Sequence, residues 1–386
     1  MPASSMLAIS LIDGGWILVS LLAMFVGLSV VVLSLVWLER KVLGRLQRRL
    51  GPTRTGPMGL MQPIADALKL VIKEDILPSA SDKAIFWVAP VIVVVSAFMI
   101  WVTIPASQGL VIKNLDLGLF YITAFAVLGI LGLVLAGWGS ANKYGVLGGL
   151  RSAAQLISYE IPVILVVVAV AMLAQSLDLR VIVAGQNPVL YVAVLPLGLV
   201  IFFIAGLAEV GRTPFDIYHA ESEVVGGPFV EYSGAHWAVF FLAEYMNTFA
   251  IAALASLLFL GGWLGPFLPG VVWFLIKVYA LVLMVFWIRG TFPRLRIDQL
   301  MAFAWKVMVP LAFYTIVITA VYLFYEWPAW SLTLMSLAGL AVVGYLLYRR
   351  MSAPAKRVAL VRARQEQQTA QRRAANRARG GLASVK

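Results

Sequence analysis

The chain contains no cysteine and only two histidines in 386 residues. Without thiols it can form no disulfide, no thiolate-held iron–sulfur cluster and no cysteine-based zinc site. The two histidines, His219 and His236, are too few and too poorly spaced to hold a haem from both sides within one helical bundle. Neither a GxGxxG nor a GxxxxGK[ST] nucleotide-binding motif is present. If the protein works in redox chemistry, the electron carriers must therefore bind to other chains.

Charged residues are scarce as well. They make up 12% of the chain, whereas hydrophobic residues make up 62%. A soluble domain is nearer one quarter charged and one half apolar. The composition therefore predicts an integral membrane protein. The N-terminal residues lack the basic region and the cleavage site of a signal peptide.

Apolar segments of about 20 residues, the length that crosses a bilayer as a helix, recur along the chain. Helices are the expected form because lipid offers no hydrogen-bond partner to an open backbone. The sequence predicts an all-α fold with nine transmembrane helices: Trp16–Leu38, Ala84–Ile104, Leu117–Gly137, Leu156–Gln175, Leu190–Ala208, Ala238–Leu260, Val271–Ile288, Val307–Tyr325 and Trp330–Tyr348.

The distribution of Lys and Arg predicts how these helices are oriented, because basic residues concentrate in cytoplasmic loops. With the N-terminus outside and the C-terminus in the cytoplasm, 27 of the 30 basic residues lie on the cytoplasmic side. Only Lys113, Arg180 and Lys277 lie on the other side. The predicted cytoplasmic loops are then 39–83, 138–155, 209–237 and 289–306.

The predicted loop 209–237 is acidic, in contrast to the basic character of the cytoplasmic side. It has a single base, Arg212, and five acids: Glu209, Asp216, Glu221, Glu223 and Glu231. Carboxylates held close together raise one another's pKa and titrate as a cluster. Interspersed Gly, Pro and aromatic residues, among them Phe229, indicate a segment folded into a protein cavity and not a solvated acidic loop. Beside a membrane such a cluster is typical of proton or cation handling.

The first cytoplasmic loop is predicted to contain an amphipathic helix after Pro63. Leu60, Ile64, Leu68, Val71 and Ile72 share its apolar face, and Asp66, Lys69 and Lys73 share another. Such a helix can lie in the membrane interface. It can equally wall a cavity with its polar face turned inward.

Two acids are predicted inside the spans, Glu160 in the fourth and Glu244 in the sixth. A membrane-embedded carboxylate is costly, and both are candidates for a proton path, with snorkelling to the interface as the alternative. Glu39 and Arg40, at the end of the first span, are either an interfacial pair or part of a site.

The remaining loops carry weaker signals. The second cytoplasmic loop is Gly-rich and predicted to be turn-like. After the seventh span, Arg289, Arg294, Arg296 and Asp298 form a basic group that either anchors the topology or docks a partner or an anionic ligand. The chain is thus predicted to be one membrane domain, residues 1–348, followed by a basic tail, residues 349–386, that is disordered or lies on anionic headgroups.

Long motifs in these loops resemble a known family. They are ERKVLGRLQRRLGPTRTGPMGLMQPIADALKLVIKED, LRSAAQLISYE, AEVGRTPFDIYHAESEVVGGPFVEYSG followed by FLAEY, and RLRIDQLM. They closely resemble the H subunit of bacterial NADH–quinone oxidoreductase, respiratory complex I, from about Trp16 to Tyr325. The resemblance implies a membrane subunit that walls part of a quinone tunnel and couples quinone reduction to proton translocation.

The resemblance also implies where the functional residues lie. The quinone tunnel and the polar path leading from it would be bordered by Glu39, Arg40, Asp66, Lys69, Phe229, Arg294 and Arg296. The proton path would use Glu160, Glu209, Asp216, Glu221, Glu223, Glu231 and Glu244. One position departs from the family pattern: PFDIYHAE stands where PFDLPEAE is usual, so His219 replaces a glutamate. A histidine can also take a proton near neutral pH.

The implied substrate is a quinone, with no metal, flavin or iron–sulfur cluster bound by this chain and no catalysis by the chain alone. The implied partners are peripheral iron–sulfur subunits on the cytoplasmic face, small membrane subunits beside it, and lipids, but no nucleic acid. The implied location is the bacterial inner membrane. Two alternatives remain, the homologous subunit of a membrane-bound hydrogenase and a stand-alone cation/proton antiporter. The antiporter is disfavoured because the acidic motif has no internal repeat.

Overall fold

A computed structural model of the chain describes residues 11–217, 225–345 and 348–349, with side chains from residue 18 onward. Within these ranges the backbone forms helices and connecting turns and contains no strand. The helices are α1 Leu11–Leu46, α2 Gln62–Ile72, α3 Lys83–Met99, α4 Gly118–Gly139, α5 Lys143–Ala174, α6 Leu179–Ala184, α7 Tyr191–Val194, α8 Pro196–Glu209, α9 Gly234–Phe259, α10 Gly270–Thr291, α11 Ile297–Phe303, α12 Val309–Phe324 and α13 Ala329–Tyr345.

Within the described ranges, seven helices are long and apolar enough to cross a membrane, so the protein is an all-α, multi-pass membrane protein, as predicted. They are Leu18–Leu46, Lys83–Val102, Gly118–Gly139, Lys143–Ala174, Gly234–Phe259, Gly270–Thr291 and Ile297–Phe324. The other two predicted spans, the fifth and the ninth, correspond to the shorter apolar helices α8 and α13. The count of nine and the orientation stay predictions.

The prediction that the fifth span is one continuous helix is wrong. It is divided at Leu195, whose backbone leaves the helical region, between α7 and α8. The cause is Pro196, which lacks an amide hydrogen and disfavours the helical conformation in the residue before it.

The prediction of a turn-like second cytoplasmic loop is also wrong, because α5 begins at Lys143, capped by the Asn142 side chain. Its glycines allow close packing instead of turning. A Cβ on Gly148 would lie 2.4 Å from Cα of Gly227, and one on Gly137 would lie 2.5 Å from the carbonyl oxygen of Gly145. The predicted loop 289–306 likewise contains α11, followed by a π-helical turn at Ala304–Met308.

The packing places α5 at the centre of the bundle, against α4, α8 and α12, whereas α9 packs against α3, α8 and α10. Packing also divides the chain into Met1–Thr333 and Leu334–Lys386. In the second unit the structure describes the end of α13 and residues 348–349. The predicted domain boundary between residues 348 and 349 stays a prediction.

Lys277 is a basic residue within a span. Its ammonium donates to the carbonyl oxygens of Leu260, Gly262 and Leu264, at 2.7, 2.9 and 2.7 Å. These carbonyls follow the C-terminus of α9, where a cation is favourable. All three ammonium donors are satisfied, which explains how a lysine is tolerated there.

The amphipathic helix predicted after Pro63 is confirmed as α2, which runs from Gln62 to Ile72. Its apolar side chains are exposed in the isolated chain: Ile64, Leu68, Val71 and Ile72. Its remaining surface packs against α1 and α9.

Candidate functional site

An inner cavity of about 110 Å³ lies between α3, α4, α5, α8 and α9. Three of the acids assigned to the proton path line it, namely Glu160 from α5, Glu209 at the end of α8 and Glu244 from α9. The fold thus brings together carboxylates that are 35 or more residues apart in the sequence. Most of the other lining residues are apolar.

A few further polar side chains line this cavity. Asn247, one turn after Glu244, and Ser96 of α3 are among them. Within the described chain, Oε1 of Glu160 and Oδ1 of Asn247 are buried without a hydrogen-bond partner. Buried polar atoms of this kind are normally satisfied by protein or water.

An outer cavity of about 620 Å³ is lined by cationic, acidic and aromatic groups. The charged lining residues are Arg212, Asp216, Glu244, Arg289 and Arg294. The aromatic ones are Phe229, Tyr232, Trp237, Phe240, Phe241 and Tyr245. Glu244, Phe229 and Phe240 line the inner cavity too. Among the carboxylates of the two linings, Glu244 is the one common to both.

An ion network at the wall of the outer cavity joins α1, α9, α10 and the segment after α8. Arg212 is 3% exposed, and its guanidinium lies 3.2 Å from Oε1 of Glu244 and 3.7 Å from Oε2 of Glu39. The Tyr245 hydroxyl donates to Oε2 of Glu39 at 2.6 Å, and Arg289 pairs with Oε1 of the same carboxylate. The Arg212 guanidinium also lies over the Tyr245 ring, 4.4 Å from its centroid.

This network keeps Arg212 charged despite its burial. Burial lowers the pKa of Arg212, but Glu244, Tyr245 and Glu39 raise it, so that the net pKa lies above the usual value for arginine. Two arginines face two glutamates, Glu39 and Glu244, so the network is balanced in charge. A buried ion pair is stable only when its partners satisfy each other in this way.

Sequence reasoning named Arg212 as the single base of its loop and Arg289 within a basic group, but it did not place them, or Tyr245, in a network with Glu39 and Glu244. The available signal was that Arg212 is the single base among five acids in the segment 209–237. An arginine beside so many carboxylates is a strong candidate for a counter-ion.

Most of the residues predicted to border the quinone tunnel lie in two places. Glu39, Phe229 and Arg294 lie at or beside the outer cavity, and Arg294 pairs with Asp216 at 2.9 Å. On α2, Asp66 pairs with Arg40 at 2.5 Å, and both side chains are partly exposed.

Lys69, on α2, is exposed, as is most of that helix. Arg296 precedes α11, where it serves as the N-cap residue. Neither of these bases is among the lining residues of the two cavities. Their assignment to the tunnel stays a prediction.

Three other predicted residues do not line the cavities or cannot be placed. Glu231 accepts a hydrogen bond from the Asn142 amide at 2.5 Å, at the connection between α4 and α5. Glu221 and Glu223, together with His219, lie outside the described residues. The assignment of these acids to the proton path stays a prediction.

Within the described ranges no group of three or more His, Asp or Glu side chains is placed to hold a metal ion.

Comparison with known proteins agrees with the resemblance seen in the motifs. A family model described as NADH dehydrogenase matches residues 19–320. The chain is 47% identical over 307 residues to the H subunit of the NADH-quinone oxidoreductase of Dehalococcoides mccartyi strain CBDB1, covering 79% of this chain and 87% of that protein. It is 47% identical over 296 residues to the H subunit from Brevibacillus brevis strain 47, covering 75% and 88%. It is 49% identical over 288 residues to that of Bacillus cereus strain B4264, covering 73% and 86%.

Proposed function

The chain belongs to the NADH dehydrogenase family, and from this we propose that it is a membrane subunit of a proton-translocating NADH–quinone oxidoreductase. The three relatives compared above are named as the same component of that enzyme, the H subunit. The chain supplies no electron carrier of its own. Electrons reach the quinone from iron–sulfur subunits docked on its cytoplasmic face, and small membrane subunits and lipids surround it in the bacterial inner membrane.

The observation that carries the coupling role is the position of Glu244 between the two cavities. On its outer side Glu244 pairs with Arg212, which also faces Glu39. On its inner side it shares a cavity with Glu160 and Glu209. The inner cavity is large enough for about three water molecules, and it has polar atoms to hold them. A proton can thus pass between Glu244 and the inner acids without crossing a continuous apolar wall.

The charged groups that line the outer cavity would respond to the change in charge that accompanies quinone reduction. Reduction of a quinone takes up protons, and the acids that supply them become negatively charged. A new charge beside Arg212 or Asp216 would change how strongly Arg212 holds Glu244, because electrostatic interactions are strong where water is excluded. We therefore propose that the quinone headgroup approaches the side bearing Glu39, Phe229 and Arg294, with α2, Arg40 and Asp66 beside its route.

The antiporter alternative loses its support, because intramembrane acids are equally expected of an oxidoreductase subunit and the family match is to that enzyme. The hydrogenase alternative is disfavoured by the relatives, which are named as quinone-reducing.

Glu160→Gln and Glu244→Gln test the proposal, with Glu74→Gln as the control. Glu74 is exposed, and it lines neither cavity. In inverted membrane vesicles with equal amounts of assembled complex, we expect proton uptake per NADH oxidised to fall by about tenfold or more in the first two variants, since a positioned proton donor commonly contributes that much. Glu160→Gln is the cleaner variant, because the described structure gives Glu160 no ion pair that the change would break. If both variants take up as many protons per NADH oxidised as the control does, the inner cavity is not the proton path.

A further inference from the structure

A second contact between an acidic and a basic side chain lies outside the linings of both cavities, where the segment after α2 meets the start of α9. Nδ1 of His236 lies 2.5 Å from Oδ2 of Asp75. The two atoms are within ion-pair distance, but their alignment does not meet hydrogen-bond geometry, and Nδ1 has no other hydrogen-bond partner among the described residues. His236 is 7% exposed and lines neither cavity, so the path described above does not use it.

Two further contacts join the same segments. The amide of Ile76 donates to Oγ of Ser233 at 3.1 Å. Gly234 has a positive φ of 53°, and a Cβ there would lie 2.9 Å from the carbonyl oxygen of Lys73. Residues 73–76, which directly follow α2, therefore pack closely against residues 233–236 at the start of α9.

Aromatic rings hold the imidazole in place. The His236 ring meets the Trp87 ring edge-on, with centroids 4.2 Å apart, and lies 5.7 Å from the Phe86 ring. Tyr232 stacks on Phe86 at 4.0 Å and donates its hydroxyl to the Phe86 carbonyl oxygen at 3.3 Å. Because α3 supplies the ring wall, His236 is limited in the directions it can turn, and Asp75 has a fixed partner.

The contact between His236 and Asp75 is important because of the residues that α2 and α9 carry. α2 bears Asp66, which pairs with Arg40, and most of its remaining surface is exposed. α9 bears Glu244 eight residues after His236, about 12 Å along the helix. The His236–Asp75 contact is thus a direct link between the helix beside the proposed quinone route and the helix that carries the shared carboxylate.

We propose that His236 and Asp75 form a positioning latch that fixes α2 to α9, so that displacement of α2 during quinone reduction reaches Glu244. This rests on the coupling function proposed above. The latch acts on position and transfers no proton to the path. α2 also packs against α1 and α9, and the latch adds a fixed point just beyond the C-terminal end of α2, at residue 75.

The test uses the intact complex with Asp75→Ala, His236→Phe and the double variant. His236→Phe keeps a ring against Trp87 and Phe86 but removes Nδ1. Glu74→Ala is the matched control, since it removes a carboxylate one residue away that is exposed. Two quantities are measured, hydrogen exchange in peptides covering residues 62–76, and protons translocated per quinone reduced.

We expect exchange in residues 62–76 to become severalfold faster in both single variants, because the segment after α2 loses its close contact with His236. The double variant should be no faster than either single one, because both remove the same interaction. The ratio of protons to quinone should fall severalfold while quinone reduction continues. Glu74→Ala should match the wild type in both quantities.

Unchanged exchange, or additive effects in the double variant, would show that no latch exists. Faster exchange with an unchanged proton ratio would show that the latch only stabilises the fold, which also overturns the proposal. If the wild-type complex itself translocates no protons, the proposed function fails, and the exchange measurement still decides whether His236 and Asp75 hold α2.

Discussion

At the residue scale, the glutamates around the cavities differ in whether an arginine accompanies them. Glu39 and Glu244 each lie beside at least one arginine, whereas the described chain gives Glu160 and Glu209 no Lys or Arg within ion-pair distance. Protonating Glu39 or Glu244 therefore breaks an ion pair, and protonating Glu160 or Glu209 does not. On the proposed function, Glu39 would respond to charge, Glu160 and Glu209 would exchange protons, and Glu244, which pairs with an arginine and also lines the inner cavity, would link the two.

Arg212→Gln should prevent normal assembly, because it leaves Glu39 and Glu244 facing each other's charge without their shared cation. Removing one member of a buried pair typically costs about 3–5 kcal/mol. We expect much less assembled complex in membranes, measured by immunoblotting after native electrophoresis. The double variant Arg212→Gln/Glu244→Gln should recover part of the loss. If the single variant assembles fully, the network does not hold the bundle together.

Arg40→Ala should lower quinone reductase activity more than it lowers assembly. The Arg40–Asp66 pair is partly exposed, and pairs of this kind contribute at most about 1 kcal/mol to stability. Its effect should instead appear as a raised KM for quinone, since Asp66 and α2 lose their tie to α1. Quinone titration of membranes with matched amounts of complex measures this. An assembled variant with wild-type quinone kinetics would show that Arg40 only anchors the topology.

At the element scale, the N-terminal half of α5 positions the turn that carries Phe229. Gly148 allows α5 to contact Gly227 of that turn directly, and Phe229 lines both cavities. This is why a segment that looks turn-like in sequence is helical. Its glycines face a neighbouring backbone, and the packing gained there exceeds the modest helical cost of glycine.

Gly148→Ala should therefore disturb the site as well as the fold. The added methyl would meet backbone atoms of Gly227 at 2.4 Å, and overpacking of this kind typically costs about 1–3 kcal/mol. We expect a lower melting temperature of the complex and reduced proton translocation. Gly149→Ala, the next residue, is the control, since a Cβ there would come no closer than 3.4 Å to its neighbours. Equal behaviour of the two variants would contradict the role assigned to this contact.

At the scale of the whole molecule, the orientation in the membrane remains a prediction from the basic residues. Single cysteines at Ser233 and Ser384 should be labelled by an impermeant thiol reagent only in inverted vesicles. A cysteine at Gln108, in the connection between α3 and α4, should be labelled only in intact cells. The absence of native cysteine from this chain makes the assay clean. Labelling of position 233 or 384 from outside would overturn the orientation.

The sequence by itself determined the class of fold, the amphipathic helix α2 and the family, and it singled out the acids that line the two cavities. These features depend on composition, on periodicity along one segment and on long contiguous motifs, all of which are local in the chain. The break in the helix at Leu195 could also be predicted from the sequence, because Pro196 causes it.

Only the tertiary structure decided which charges meet. Arg212 pairs with Glu39 and Glu244, and Glu39 also pairs with Arg289, 250 residues away in the sequence. No periodicity encodes such pairs, because each depends on how separate helices pack. The same holds for the two cavities, which are formed between helices, and for the contact of His236 with Asp75. Burial of a charge is stable only beside a partner, so the packing of the helices determines which acids lie beside an arginine and which do not.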